Sequence, residues 1–419
     1  MKRKWLILTA GIILLFNSAR AEQTQKEELY DQVKIFSEVL SKIREDYVEE
    51  VEVKKLIYGA IKGMVGTLDP FSQFMEKDIN KVLKEDTKGE FGGLGIRIAI
   101  RDKRLTVVTP LPGTPAYRLG ILPGDKIVKI EGESTEGITL LEAVKKLRGE
   151  KGTKVTITIQ REGEKDLLDF TITRDIIKIQ SVSGRMLTET IGYIRLAEFS
   201  QKTPADMDKK WKELEEQGME NLILDLRNNP GGLLPSAVAV TKRFIGDNKI
   251  VVSTRGRYPE QEIKYFADRQ SRQRLLPLVV LVNHGSASGS EIVAGAIQDW
   301  SRGVILGETT FGKGSVQSMI TLEDGSGLRL TTAKYYTPNG RTIHEKGITP
   351  DIEVKVSKEM LAKLMMQREE EEIKIITKGL KSRIKKEEKE KEEEERVTDI
   401  QLERAKDILL AREIWEGRK

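Results

Sequence analysis

Two short segments of the chain carry residues that could do covalent chemistry. The first, SASGSE at 286–291, holds Ser288 where the apolar run 279–282 gives way to helical spacing. A strand that turns sharply into a helix can expose a serine hydroxyl beside backbone N–H groups that the helix start leaves unpaired. The second segment, FGKGSVQ at 311–317, follows another apolar run and places Lys313 between two glycines. The two segments together predict a nucleophile and a candidate base.

The identity of that base is restricted by composition. A serine becomes a nucleophile at neutral pH only when a neighbouring base accepts its proton. The chain has two histidines: His284 lies too close to Ser288 in sequence to face it, and His344 belongs to a polar loop. The sequence therefore offers no well-placed histidine for a Ser-His-Asp triad, whereas lysine is a known alternative base. Its pKa must fall from about 10.4 to near 7 or 8, a cost of roughly 4 kcal/mol that desolvation in an apolar pocket can supply.

Both segments resemble the Ser-Lys active site of the carboxy-terminal processing peptidases, also called tail-specific proteases. In that family the nucleophile is the second serine of the SAS element and the base is the lysine of FGKG, and Ser288 and Lys313 occupy these positions. The resemblance implies that Gln317 orients the lysine. Gly289 stands where the family usually has alanine, which keeps the backbone N–H but makes the turn more flexible. The plainer alternative is that the small residues only ease a turn.

A third segment, RNNPGG at 227–232, follows an apolar run and precedes a helix predicted from about Pro235. It resembles a tract of the same family whose glycine amides complete the oxyanion hole. The resemblance implies Gly231 and Gly232 as donors, together with Gly289. Losing one such donor typically costs about 3 to 4 kcal/mol of barrier. The sequence does not say which glycine donates, and a plain strand-to-helix turn is the alternative.

Residues 90–174 resemble a PDZ domain, a module that binds the C-terminal tail of a peptide. Successive glycine amides in its first loop would form a concave nest for the tail carboxylate. A peptide could add as a strand beside the isoleucines that follow, unless these isoleucines serve only the core. A helix opened by the capping box of Thr139 and Glu142 would form the far wall. The predicted peptide-binding residues are Gly92, Gly93, Leu94, Gly95, Ile96, Ile98, Leu140, Val144 and Arg148.

Arg148 ends the predicted helix, where a cation is favourable even if solvated. It could face the groove or the protease. The sharper hypothesis is that Arg148 couples peptide binding to activation.

The elements that position these residues alternate along the chain. Apolar runs predict strands at 191–196, 222–226, 278–282 and 303–307. Helical or polar stretches separate them, which predicts an α/β fold. The resemblance implies a multi-domain chain with a ClpP/crotonase-like protease core and an inserted PDZ domain. The predicted divisions are a signal peptide at 1–21, an N-terminal helical segment at 22–86, the PDZ domain at 87–176, the protease core at 177–356 and a charged C-terminal helical segment at 357–419.

The first 21 residues have the pattern of a secretory signal, with a basic start, an apolar run and the small-x-small site Ala19-Arg20-Ala21. We expect an exported, periplasmic or extracytoplasmic protein, with the signal either cleaved or retained as a membrane anchor. Without the four cations of this segment, 67 Lys and Arg face 66 Asp and Glu. Near-neutrality argues against nucleic acid as a partner. The absence of cysteine excludes disulfides and a thiol nucleophile, and we expect no metal or cofactor.

These features predict a serine endopeptidase that recognises apolar C-terminal tails of proteins or peptides and cleaves through an acyl-enzyme. One alternative is a catalytically inert PDZ-based peptide-binding module. Another is an acyl-transfer or hydratase enzyme on a related scaffold. The amphipathic segment 397–415 needs a partner surface, so we expect it to dock on the helical N-terminal part of another subunit, giving a homo-oligomer.

Overall fold

The computed structural model describes residues 27–111, 113–268, 275–357, 359–367 and 397–417. The predicted signal at 1–21 and the charge runs at 369–372 and 385–396 lie outside the described residues. Within the described ranges, no helix combines the length and apolar character needed to cross a bilayer. By its contacts the chain divides into two compact units, Met1–Phe74 and Met75–Lys419. Each is described by itself.

The first unit is helical, as the sequence predicts. Its helices are α1 at 27–46 and α2 at Val53–Gly66, and strand β1, Gln73–Met75, lies at its end. In the turn after α2, the Asp69 carboxylate accepts hydrogen bonds from the backbone N–H groups of Phe71 and Ser72. This Asx-type turn ends the helical stretch and reverses the chain.

The second unit contains the remaining elements. Its helices are α3 Lys77–Lys88, α4 Pro115–Arg118, α5 Leu140–Leu147, α6 Thr203–Glu216, α7 Leu234–Lys242, α8 Gly289–Asp299, α9 359–367 and α10 Ile400–Glu416. The strands of its first half are β2 Glu90–Gly93, β3 Ile96–Arg101, β4 Arg104–Pro110, β5 Lys126–Ile130, β6 Glu133–Ser134, β7 Lys154–Gln160, β8 Leu168–Thr173 and β9 Asp175–Lys178. The later strands are β10 Val182–Met186, β11 Ile191–Leu196, β12 Asn221–Asp225, β13 Ile250–Arg255, β14 Ile263–Phe266, β15 Leu278–Val282, β16 Val304–Gly307, β17 Ser315–Thr321, β18 Gly327–Tyr336 and β19 Ile352–Glu353.

A six-stranded sheet forms the centre of the later half, in the order β10-β11-β12-β15-β16-β19. All neighbours pair in parallel except β10 with β11. Every residue of β12 and β15 is buried, which explains why β15 and the centre of β12, residues 222–224, are apolar without alternation. Because carboxyl ends of parallel strands meet at one edge, the segments that follow β12, β15 and β16 converge there. The predicted α/β multi-domain class is confirmed.

Helices cover both faces of this sheet. On one face α6, α7 and α8 pack over a large apolar core, and on the other α10 contributes Ala405 and Leu409 to a smaller cluster. The amphipathic C-terminal segment thus has a place on the sheet of its own chain. Its predicted docking on another subunit, and the homo-oligomer, stay predictions.

A second sheet, which the sequence does not predict, lies beside this core. Strand β18 pairs antiparallel with both β13 and β17, and β14 pairs with β13. Strand β17 begins directly after the FGKG turn, so this sheet holds that turn in place.

The earlier half forms a separate antiparallel sheet in the order β3-β4-β5-β7-β8, with β6 paired to β5. Helix α5 closes its core, and the predicted capping box of Thr139 and Glu142 is present. A two-stranded ribbon of β2 and β9 leads into and out of this domain. We call this ribbon the tether. Beside it, the backbone N–H of Gln201 donates to Thr87 of α3.

Candidate active site

Ser288 occupies the sharp turn between β15 and α8, with φ 53° and ψ −108°. A non-glycine residue in this region is strained by roughly 1–3 kcal/mol, and surrounding contacts must hold it there. The neighbouring serines supply such contacts: Ser286 Oγ donates to the carbonyl of Leu226 at 2.8 Å, and Ser290 Oγ donates to that of Asn229 at 2.9 Å. These two serines fix the turn, and Ser288, which lies between them in sequence, is 7% exposed.

Glu291 organises the site, and sequence reasoning missed it. It is fully buried, and its Oε2 accepts the backbone N–H of Ser288 at 2.7 Å and that of Lys313 at 2.9 Å. Its Oε1 accepts from Thr310 Oγ1 at 2.6 Å and from the Gly312 N–H at 2.7 Å. Burial raises the pKa of Glu291, while these hydrogen bonds act in the opposite direction. One carboxylate therefore joins the nucleophile turn to the lysine loop. The S-x-x-E spacing of a capping box was the signal that could have found it.

Lys313 sits half-buried in the loop between β16 and β17. Burial lowers its pKa, the positive charge of Arg329 lowers it further, and the Glu291 carboxylate acts against both. This is the direction that a lysine base requires. The flanking glycines are needed for the backbone path. Gly312 has φ +89°, and a Cβ on Gly314 would lie 2.2 Å from the backbone nitrogen of His344.

The two histidines are placed differently. The His284 side chain is exposed, and its ring lies 5.5 Å from that of Phe311. His344 packs its backbone against Gly314, and its Nδ1 is buried with no hydrogen-bond partner among the described residues. The orientation of His284 toward solvent agrees with the prediction that it is too close to Ser288 in sequence to face it.

Gln317 lies on β17, next to a bulge at Val316. Its Nε2 donates to Ser315 Oγ at 2.8 Å and to Thr331 Oγ1 at 3.3 Å. These contacts fix the amide on the second sheet. The orienting of Lys313 by Gln317 stays a prediction.

The RNNPGG tract lies directly against the nucleophile turn. A Cβ on Gly231, whose φ is +101°, would lie 2.7 Å from Ser288 Cβ and 2.9 Å from the nitrogen of Gly289. The Gly231 N–H already donates to Asn229 Oδ1 at 2.9 Å. Of the three glycines named from the sequence, Gly232 and Gly289 are therefore the better candidates for oxyanion donors.

Arg227, the first residue of the tract, is 3% exposed and bound by two carboxylates. Asp225 binds its Nε at 3.0 Å and its Nη2 at 2.7 Å. Asp399, the N-cap of α10, binds Nη1 and Nη2, each at 2.8 Å. Burial opposes the charge, but the two carboxylates outweigh it and hold the pKa of Arg227 well above its ordinary value. The C-terminal helix is thereby fastened to the start of the tract, a contact with no local sequence signal.

Tyr335 on β18 is a further residue that the sequence did not single out. It is 4% exposed, and its ring belongs to the main apolar core. Its backbone N–H donates to the carbonyl of Gly314 at 2.7 Å. Burial raises the pKa of Tyr335 to about 12, and the nearby Ser288 hydroxyl acts in the opposite direction.

The predicted peptide groove lies between β3 and α5. Ile96 and Ile98 are partly buried at the edge of the domain core, and Leu140 on α5 is 43% exposed, with Val144 one turn further along the same helix. Leu94 is only 2% exposed because it packs in the domain core, and its predicted part in tail binding stays a prediction. This graded burial leaves apolar surface available between strand and helix.

In the glycine loop before β3, residues 92–95, three backbone carbonyls accept hydrogen bonds from other parts of the domain. The carbonyl of Gly92 accepts from Gly149, that of Leu94 from Ala116 and that of Gly95 from Leu111. Gly93 pairs with β9 through the tether. These bonds fix the loop, and its predicted role as a carboxylate nest stays a prediction.

Arg148 points to the tether. Its guanidinium lies 3.8 Å from the centre of the Phe91 ring on β2, and its Nη1 lies 2.8 Å from Asp86 Oδ1 on α3. The side chain is 18% exposed, so it is packed and not simply solvated. Burial raises the pKa of Glu198, and the negative charge of Asp86 raises it further. Glu198 immediately precedes Phe199, whose N–H donates to the carbonyl of Gly231.

Comparison with known proteins gives consistent results along the chain. Residues 190–354 match peptidase family S41, residues 106–161 match a PDZ domain, and residues 14–79 match the N-terminal domain of the activating protease CtpB. The chain is 44% identical over 362 residues to a carboxy-terminal-processing protease of Bartonella bacilliformis. This alignment covers 84% of this chain and 83% of the relative. It is 37% identical over 336 residues to the carboxy-terminal processing protease CtpB of Bacillus subtilis, covering 79% and 69%.

A solved structure, the photosystem II D1 C-terminal processing protease, is 35% identical in sequence. It covers 75% of this chain and 86% of that one, with a TM-score of 0.47. From the sequence matches, the chain belongs to peptidase family S41, among the carboxy-terminal processing proteases, and carries a PDZ domain.

Proposed function

We propose that this protein is an exported serine endopeptidase in which Ser288 is the nucleophile and Lys313 is the base. The observation that carries the proposal is the shared carboxylate of Glu291, which binds the backbone of both residues through one oxygen. A strained serine at a strand-to-helix turn and a lysine whose pKa is lowered by burial complete the arrangement.

The reaction follows from these roles. Neutral Lys313 accepts the Ser288 proton as Oγ attacks the scissile carbonyl, and the oxygen of that carbonyl becomes negative. The N–H groups of Gly232 and Gly289 stabilise it, since preorganised donors act on charge as it develops. The lysine then gives its proton to the leaving amine, and an ester of Ser288 remains. Water, deprotonated by the same lysine, hydrolyses the ester and restores the free serine.

The PDZ domain supplies the specificity in this proposal. Its groove between β3 and α5 takes an apolar C-terminal tail as an added strand, and the glycine loop binds the tail carboxylate. The division into signal peptide, helical segment, PDZ domain, protease core and C-terminal segment keeps the boundaries given above. The basic and apolar start of the sequence supports export, either with cleavage of the signal or with its retention as an anchor.

The role of Arg148 is proposed as coupling between the two domains. Its contacts with Phe91 and Asp86 lie on the tether side, where a movement of the PDZ domain would change them. We expect Arg148→Ala to abolish the stimulation of cleavage by a free apolar tail peptide while the affinity for that peptide holds. Stimulation that equals the wild type would exclude coupling through this residue.

One experiment separates the protease from its two alternatives. The full chain is incubated with an unfolded test protein, with and without an apolar C-terminal tail, and fragments are identified by mass spectrometry. We expect fragments from the wild type, faster with the tail, and none from Ser288→Ala or Lys313→Ala. His284→Ala, a change in the same turn, is the matched control and should keep activity.

Each alternative has its own outcome in that experiment. An inert peptide-binding module would retain the tailed protein without cutting it. An acyl-transfer or hydratase enzyme would leave the polypeptide intact in all variants. Loss of activity in His284→Ala with activity kept in Lys313→Ala would show that the base is assigned wrongly.

A further inference from the structure

Phe199 contacts both glycines that are the better candidates for oxyanion donors. It lies shortly after β11 and forms an isolated parallel bridge with Gly232. In this bridge its N–H donates to the carbonyl of Gly231 at 2.9 Å, and its carbonyl accepts the N–H of Leu233 at 2.7 Å. The N–H of Gly232 takes no part in these two bonds. The bridge therefore holds Gly232 in place without using its N–H.

Phe199 approaches both glycines so closely that a larger residue would force a shift. A Cβ on Gly232 would lie 2.3 Å from the carbonyl oxygen of Phe199, and a Cβ on Gly289 would lie 2.9 Å from Cδ2 of its ring. The backbone of Gly289 lies outside the left-handed region, so it is packing, and not backbone strain, that opposes a side chain there. Gly289 is also the first residue of α8, where the N–H has no partner within the helix. The backbone of Phe199 thus contacts one candidate donor residue, and its ring contacts the other.

The Phe199 side chain has little freedom to move. It is 1% exposed and belongs to the main apolar core. Because protein interiors are close-packed, a change in the shape of one buried side chain displaces its neighbours. An oxyanion donor must lie about 2.7–3.1 Å from the oxygen on which charge develops. A small displacement of either glycine would therefore weaken the stabilisation of the transition state.

We propose that Phe199 is a positioning residue that sets the distance between the N–H groups of Gly232 and Gly289, and with it the fit of this pair to the oxyanion. It acts through the two glycines and takes no part in the transfer of the Ser288 proton. The inference rests on the proposed function, since it assumes that these two N–H groups bind the oxyanion. One consequence is that the side chains at positions 199 and 289 must match in size.

Phe199→Leu tests this role, because it keeps the backbone bridge and an apolar side chain but removes the ring edge that lies against Gly289. Phe244→Leu is the matched control. Phe244 is 0% exposed in the same apolar core, and its ring lies 5.8 Å from that of Trp211. Both changes remove ring packing from the core, but Phe199→Leu does so beside a candidate donor.

The assay is steady-state cleavage of an unfolded protein with an apolar C-terminal tail by the full chain, at a temperature where circular dichroism shows each variant to be folded. We expect Phe199→Leu to lower kcat by about 10- to 100-fold, the effect of misplacing one oxyanion donor. KM should stay near the wild-type value, because these bonds act chiefly in the transition state. Phe244→Leu should lower Tm and keep kcat near that of the wild type.

A double variant tests the size match between the two positions. Phe199→Leu frees the space into which the methyl group of Gly289→Ala would point. We expect Gly289→Ala alone to lower kcat, and the same change added to Phe199→Leu to lower it no further, since residues in contact have non-additive effects. If Phe199→Leu fails to fold, Phe199→Met takes its place in both comparisons.

Two results would overturn the inference. One is a kcat for Phe199→Leu equal to that of Phe244→Leu, and the other is a double variant in which the two separate losses of kcat multiply. Equal cleavage by wild type and Ser288→Ala would instead refute the proposed function, and this inference with it.

Discussion

Replacing Glu291 by glutamine tests the central contact of the site. The carboxylate accepts four hydrogen bonds, two at each oxygen. A glutamine can accept at one oxygen only, because its nitrogen is a donor. The best orientation keeps the bonds to Ser288 and Lys313 and leaves the Gly312 N–H unpaired, and the other orientation loses both of those bonds.

The magnitude follows from these contacts. A hydrogen bond to a charged group contributes about 1.5–3 kcal/mol, and a buried donor left unsatisfied costs about 1–3 kcal/mol. The raised pKa of Glu291 means that its buried charge is itself a cost, and the neutral amide removes that part. We therefore expect a net loss of about 2 to 4 kcal/mol in the free energy of unfolding for Glu291→Gln.

Urea unfolding of the full chain at pH 7 measures this loss, and cleavage of a tailed test protein measures the catalytic effect. We expect activity to fall by about 100-fold or more under conditions where the variant is folded, because small misplacements of reacting groups have effects of that size. Glu345→Gln is the matched control, since that carboxylate is 86% exposed in the adjoining loop. It should change stability by less than about 0.5 kcal/mol. Wild-type stability together with wild-type cleavage in Glu291→Gln would refute the organising role.

Three further changes test other parts of the site. Because Lys313 must be neutral to act, cleavage should be lost as pH falls through its folded pKa, which burial places below that of a solvated lysine; a rate independent of pH down to the carboxylate range would contradict this. Gly289→Ala would place a Cβ 2.9 Å from the buried ring of Phe199. We therefore expect calorimetry to show a loss of about 1 kcal/mol in the free energy of unfolding, and a raised Tm would contradict this. Asp399→Asn leaves Arg227 with one fewer charged partner. Urea unfolding should then show a loss of about 1 to 3 kcal/mol in the free energy of unfolding. An unchanged free energy of unfolding would show that α10 is held by its apolar face alone.

Local patterns were enough to predict much of the protease core. Strands β12 and β15 are buried along their whole length, so β15 and the centre of β12, residues 222–224, are unbroken apolar runs. The serine turn follows β15 and the lysine loop follows β16, and the motif of each is contiguous in sequence. Family matches therefore agree with what the residues alone indicate.

The second sheet and two site residues, Tyr335 and Asp399, depend on distant partners and could not be predicted in this way. Strand β17 is largely half-buried or exposed and mixes polar with apolar residues, so it lacks a clear period. Tyr335 comes near Ser288 from the second sheet, and Asp399 pairs with Arg227 from 172 residues away. Pairings of this kind arise from tertiary packing and leave no mark in a local window.

The fastening of Arg227 by Asp399 has a consequence for biogenesis. A polypeptide that leaves the ribosome or crosses a membrane from its amino end delivers α10 after every other described helix. Until it arrives, the guanidinium at the start of the RNNPGG tract lacks one of its two carboxylates, and the cluster on one face of the central sheet lacks Ala405 and Leu409. The tract that lies against the candidate nucleophile turn is therefore fully fastened only when α10, the last of the described helices, has been delivered.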